Sequence, residues 1–153
     1  MKITDFVSVH TVIPALVSRE KDAALAELAA GLAAKYDHLD QEKVLGVLQE
    51  RERISSTAIG DGVAIPHGKL PGLDKIYGVF ARSQAGIDFK SLDGEPTHLF
   101  FVLIAPENAA ADHLKALARI SRLLKDAGFR DRLMTGKNQQ DLFALISEED
   151  DKF

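Results

Sequence analysis

The stretch Ser55-Ser56-Thr57-Ala58-Ile59-Gly60-Asp61-Gly62-Val63-Ala64-Ile65-Pro66-His67-Gly68-Lys69 organises the rest of the chain. It opens on three hydroxyls, and Gly60 and Gly62 admit backbone angles closed to other residues. Val63 to Ile65 is too short an apolar run for a helix and suits a buried strand. Pro66 locks its own φ and drives Ile65 into the extended region. With Gly68 next, His67 stands on a rigid corner with an uncrowded backbone on its far side. That arrangement presents an imidazole at the end of a strand. The same residues would serve a plain turn with an exposed polar histidine, and one histidine in a Gly/Pro loop does not separate the two.

Downstream, Pro71-Gly72 is turn chemistry. Ile76 to Arg82 is apolar on both faces, the pattern of a strand covered on two sides. Gly86 to Lys90 alternates, as in a half-exposed or edge strand, and Leu92-Asp93-Gly94 signals a turn. The run Leu99 to Ala105, stopped by Pro106, reads as the central strand, with His98 at its outer end as a strand-edge or surface residue. Asn108 or Asp112 can cap the helix that follows. Its stripe of His113, Leu117, Ile120 and Leu124 places His113 in the first turn, on or beside the core-facing side. There it suits either a core histidine with one hydrogen bond or a group beside an anion at the helix N-terminus. Gly128 is read as the end of this helix. Two short helices near 129–135 and 138–147 follow, then Glu148-Glu149-Asp150-Asp151 as a frayed, solvated tail.

Upstream, Asp40 can cap a helix carrying Val44, Val47 and Leu48 on one stripe. Arg51 continues that stripe and Arg53 does not, so Arg51 leaves the helix end on its inward side. It suits a cation at a helix C-terminus, worth a few tenths to about 1 kcal/mol, or a guanidinium aimed at an anion. Residues 19–36 form an earlier helix, capped by Ser18, with Leu25, Leu28, Ala29, Leu32 and Tyr36 on one face. Residues 1–17 read as a loop or one short strand broken by Pro14. His10 and His38 lie in turn-like contexts and take no role.

The 153 residues, 46% hydrophobic and 27% charged, fit one globular domain that buries a sizeable core. The formal charge of −4 comes with no basic block, which argues against nucleic acid as a partner. The chain has no cysteine, so thiolate chemistry and disulfides are excluded. No leader-like core stands at the N-terminus, and no apolar run is long enough to cross a bilayer. A cytoplasmic protein without membrane insertion is the expectation. The element order predicts an α/β sandwich, a mixed sheet with helices on both faces, spanning 1–147, with 148–153 as the acidic tail.

Ser56-Thr57-x-Ile59-Gly60-x-Gly62-Val63-Ala64-Ile65-Pro66-His67-Gly68-Lys69 resembles the enzyme IIA domains of the fructose–mannitol class of the bacterial phosphoenolpyruvate-dependent phosphotransferase system. The resemblance extends over nearly the whole chain, through Arg51-Glu52, Ile87-x-Phe89, Asp93-Gly94-x-Pro96, Leu99 to Pro106 and His113-Leu114. Within that class it looks most like the nitrogen-regulatory branch. Ala58 and Val63 stand where family members often have Gly and Ile. The resemblance implies that His67 is the phosphorylated histidine, with His113 and Arg51 stabilising the phosphoryl group, and that no cofactor or metal is used. It implies a phosphohistidine carrier of the HPr or NPr type as donor, docking on an apolar rim around His67. Regulatory target proteins, or a IIB domain in a sugar-uptake variant, would receive the output.

Chemistry is compatible with each role. Imidazole is a nucleophile at neutral pH, phosphoryl transfer is mainly positioning plus charge neutralisation, and guanidinium binds two oxygens at once. Attack through Nε2, with Nδ1–H held by a backbone carbonyl, is the expectation, and Ser56 or Thr57 could add a hydroxyl. Two readings of other classes stand beside it. One is a zinc hydrolase using His67 and His113, which lacks an HExxH pattern and a third ligand. The other is an interaction module without covalent chemistry.

Overall fold

The computed structural model describes residues 1–152, so Phe153, the last residue of the expected tail, lies outside them. Two 3-10 turns lead into β1 (Val12–Ile13), α1 (Lys21–Lys35), α2 (Gln41–Ile54), β2 (Ala58–Gly60), β3 (Val63–Ala64), β4 (His67–Lys69), β5 (Tyr77–Ile87), β6 (Thr97–Ala105), α3 (Ala110–Leu123), α4 (Ala127–Thr135) and α5 (Gln139–Asp150). The sheet runs β1-β5-β6-β3-β2, with β4 also on β6. β6 is antiparallel to β5 and parallel to β3 and β4. The mixed α/β sandwich is therefore as the element order predicts.

The apolar run in β6 is unbroken because both of its faces are covered. Leu99, Phe101, Leu103 and Ala105 pack on one side with residues of α3, α4 and α5. Phe100, Val102 and Ile104 pack on the other with α1 and α2. Residues 1–17 hold one short strand, as expected. Asp40 caps α2, its carboxylate accepting from the backbone N–H groups of Glu42 and Lys43.

Several local readings change. Ser18 does not cap α1; Glu20 holds that position without a side-chain bond, and the Ser18 hydroxyl donates to Glu27 at 2.7 Å. Gly86 and Ile87 end β5 after a register shift rather than forming a strand of their own. Neither Asn108 nor Asp112 caps α3, whose N-cap is Ala109. Gly128 does not end that helix: α3 stops at Leu123, and Gly128 lies in the first turn of α4, where Asp126 starts a new cap. Residues 148–150 are not a frayed tail but the last turn of α5. Asp150 is wholly buried, and Arg119 of α3 donates to it through Nε at 2.5 Å. An acidic run is solvated only when no distant cation neutralises it, and here one does.

The chain around His67 differs from a simple strand end. Gly60, Asp61 and Gly62 take φ of 108°, 56° and 74° in the turn between β2 and β3. After β3 leaves β6, Pro66 carries the chain along the same edge, and β4 resumes the ladder with His67 opposite Leu103. The space beside Gly68 is not open, because Val47 of α2 occupies the place a Cβ would take. This close approach, available only to glycine, brings the end of α2 against β4.

Candidate active site

His67, His113 and Arg51 come together although 62 residues of sequence separate the first from the last of them in chain order. They line one cleft of about 560 Å³ between the end of α2, β4 and the start of α3. His67 and Lys69, two residues apart on β4, fall on the same side of the strand, and both line the cleft. The His67 and His113 rings meet edge to face, with centroids 5.3 Å apart and planes at 80°.

His67 is half-buried, and its Nδ1 lies 2.7 Å from the Ile65 carbonyl oxygen. A carbonyl only accepts, so Nδ1 carries the proton of the neutral ring and the lone pair stands on Nε2. Burial lowers the His67 pKa below its ordinary 6.5; the Ile65 bond opposes this, Arg51 adds to it, and Glu52 opposes it. His113 is 6% exposed, and its Nε2 is buried without a hydrogen-bond partner. Its pKa is pushed down to about 4, first by burial, then by the proximity of His67 and Lys69. An orphaned buried nitrogen is costly, and the His113 ring lines the cleft together with two cationic side chains, Arg51 and Lys69. Arg51, half-buried, donates through Nη1 to the Ser55 carbonyl at 3.0 Å, which folds it back over the start of the following loop. Arg53 faces water and pairs with Glu50 at 2.6 Å.

The suppressed basicity of His113 has a consequence for stability. Between pH 6.5 and about 4 the unfolded chain binds a proton that the folded ring refuses. The contribution is complete above 6.5 and falls away as pH drops through that window. Linkage limits it to about 3 kcal/mol. Urea unfolding at pH 7 and pH 4.5 should show wild type losing more stability than a His113→Gln variant. An equal loss in the two would contradict this.

The hydroxyls are committed elsewhere. Ser56 donates to the Phe89 carbonyl at 2.7 Å and Thr57 to Glu52, so neither hydroxyl is free for a ligand, contrary to the expectation from the sequence. Glu52 is the residue that sequence reading passed over. It continues the buried stripe of α2 through Val44 and Leu48 at four-residue spacing, and that spacing was the available signal. Among the described residues no group of three or more His, Asp or Glu side chains could hold a metal ion, and no helix is long and apolar enough to cross a membrane.

In sequence and in fold the chain is similar to known proteins. The family described as "Phosphoenolpyruvate-dependent sugar phosphotransferase system, EIIA 2" matches residues 5–149. A nitrogen regulatory protein of Bradyrhizobium diazoefficiens is 49% identical over 147 residues, 96% of this chain and 95% of that protein. The fructose-specific EIIABC component of Bacillus subtilis is 35% identical over 98% of this chain, which spans 24% of that longer protein. The crystal structure of nitrogen regulatory protein IIA-Ntr from Neisseria meningitidis superposes with a TM-score of 0.88 at 29% identity, covering 94% of this chain and 98% of that one. Enzyme IIAMTL of Escherichia coli, solved in complex with phosphorylated enzyme IIBMTL, shares the fold at a TM-score of 0.76 and 19% identity, covering 92% and 96%.

Proposed function

The chain belongs to the EIIA type 2 family of the phosphoenolpyruvate-dependent phosphotransferase system, and from that premise we propose that His67 accepts a phosphoryl group from a phosphohistidine carrier of the HPr or NPr type. The observation that carries this is the His67 ring itself. Its Nδ1–H is fixed on the Ile65 carbonyl, and Nε2 is left as the nucleophile in a cleft with a guanidinium and a second imidazole.

In the transfer, the Nε2 lone pair forms a P–N bond as the P–N bond of the carrier breaks, and the electron pair of that bond returns to the carrier's ring. Positive charge grows on His67, and the Ile65 carbonyl stabilises it through the Nδ1–H. The lowered pKa keeps the ring unprotonated, and hence nucleophilic, at neutral pH. Arg51 neutralises two of the three phosphoryl oxygens, and Nε2–H of His113, without a partner in the free protein, donates to another. The carrier docks on exposed apolar side chains at the rim, Ile54 and Leu114.

The output is mainly regulatory. Phosphorylation adds about −2 of charge at the docking surface, which is enough to change which proteins bind there in the cytoplasm. A second reading, passage of the group to a IIB domain for sugar uptake, is favoured by the likeness to the fructose-specific component. Discharge by a IIB domain in a sugar-dependent manner separates the two. Incubation with phosphoenolpyruvate, enzyme I and the carrier should add one acid-labile phosphoryl group, found on His67 by mass spectrometry. Absence of labelling, or labelling elsewhere, would refute the proposal.

A further inference from the structure

Glu52 lies outside the cleft, yet an unbroken hydrogen-bonded path leads from it to His67. Its carboxylate is buried. It accepts the backbone N–H of Thr57 at 3.1 Å and the Thr57 hydroxyl, and it pairs with Lys21 of α1 at 2.9 Å. Lys21 is itself seated over the Phe89 ring at 4.8 Å. From Thr57 the connection continues through the backbone. The Thr57 carbonyl accepts the Ile65 N–H at 3.1 Å, and the Ile65 carbonyl accepts Nδ1–H of His67 at 2.7 Å. Two residues before Thr57, the Ser55 carbonyl accepts Nη1 of Arg51 at 3.0 Å.

A buried carboxylate is expensive to keep and is retained where its partners need fixing. Thr57, just before β2, has both its donors bound to one anion, which restrains the residue whose carbonyl accepts the Ile65 N–H. We propose that Glu52 is a positioning residue that holds the nucleophile through the relay Glu52–Thr57–Ile65–His67. This rests on the reading of His67 as phosphoryl acceptor, and it adds a residue that touches neither the phosphoryl group nor the donor. Glu52 sets which nitrogen of His67 bears the proton. The proton shifts from Nδ1 to Nε2 only if the Ile65 carbonyl is released.

Two measurements on the full chain test it. The ¹⁵N ring shifts of His67 in the unphosphorylated protein report the tautomer and need no phosphotransfer. The rate of acceptance at saturating carrier, set beside the KM for the carrier, reports function. Glu52→Ala should lower the rate about 10–100-fold, the usual effect of removing an outer-shell partner, with KM unchanged and the Nδ1–H preference of His67 reduced. Glu52→Gln, which keeps an acceptor for the Thr57 N–H, should stay within several-fold of wild type. A folded Glu52→Ala protein with a wild-type rate and ring spectrum overturns the relay. If that variant is too unstable to purify, Thr57→Val decides, since it removes only the hydroxyl leg. A rate fall of about 3-fold or more supports the relay, and an unchanged rate and spectrum overturns it. Wild-type protein that is never labelled defeats the acceptor reading instead, and the ring shifts still judge the tautomer.

Discussion

His67→Ala should take up no phosphoryl group from phosphoenolpyruvate, enzyme I and carrier, while wild type should be labelled to one group per chain. The second ring, only 5.3 Å away, does not replace it. His113 is 6% exposed, and its Nε2, which carries the proton donated to the phosphoryl group, has no free lone pair for attack. The pKa of about 4 also marks a weakly basic nitrogen, and nucleophilicity falls with basicity. The loss is chemical and not a failure to fold. His67 is half-buried and contributes one hydrogen bond and one edge-to-face contact, together about 1–2 kcal/mol. Intact protein mass and circular dichroism on the variant check both halves. Labelling of His67→Ala at the wild-type level would move the nucleophile elsewhere and dismantle the site.

Arg51→Ala should slow acceptance by about 10²–10³-fold, the scale of removing one donor from a transition-state anion site. Two readings of this side chain make different demands. As a cation near the C-terminus of α2 it is worth at most about 1 kcal/mol to stability. As a phosphoryl ligand it is worth little to stability and several kcal/mol to the barrier. A small shift in the urea midpoint with a large fall in rate is therefore the expected pair, and a normal rate with a lower midpoint would leave Arg51 as a helix-end cation. Arg51→Lys should recover only part of the rate, because an ammonium offers a point charge where the guanidinium offers a planar fork. Titration supplies an independent check. Arg51 is one of the causes lowering the His67 pKa, so its removal raises that pKa and narrows the neutral-pH range in which the ring is an unprotonated nucleophile.

Much of the framework was open to reading along the chain, and the errors share a cause. The covered run of β6, the stripes of α1 and α2 and the Asp40 cap all depend on residues within a turn or two of one another. Ser18, Asn108, Asp112 and Gly128 are good local candidates for helix ends, yet none acts as one. Ser18 found Glu27 nine residues away, and α3 ended before Gly128 because Asp126 starts a new helix. The acidic terminus was misjudged because its neutralising cation, Arg119, sits 31 residues earlier.

For the site, periodicity placed Arg51 on the inner side of its helix and His113 in the first turn of another, and the Pro66–Gly68 corner offered His67 as a candidate that the family resemblance then assigned a role. Sequence alone thus determined the candidates and their chemistry, since residue type sets what a side chain can donate, accept or attack with. Only the tertiary structure decided that these groups share one cleft, that Glu52 is buried beneath the loop, and that the Ser56 and Thr57 hydroxyls are already bound. Burial and pairing of polar groups are set by neighbours brought from distant parts of the chain, and short-range propensity carries no record of them.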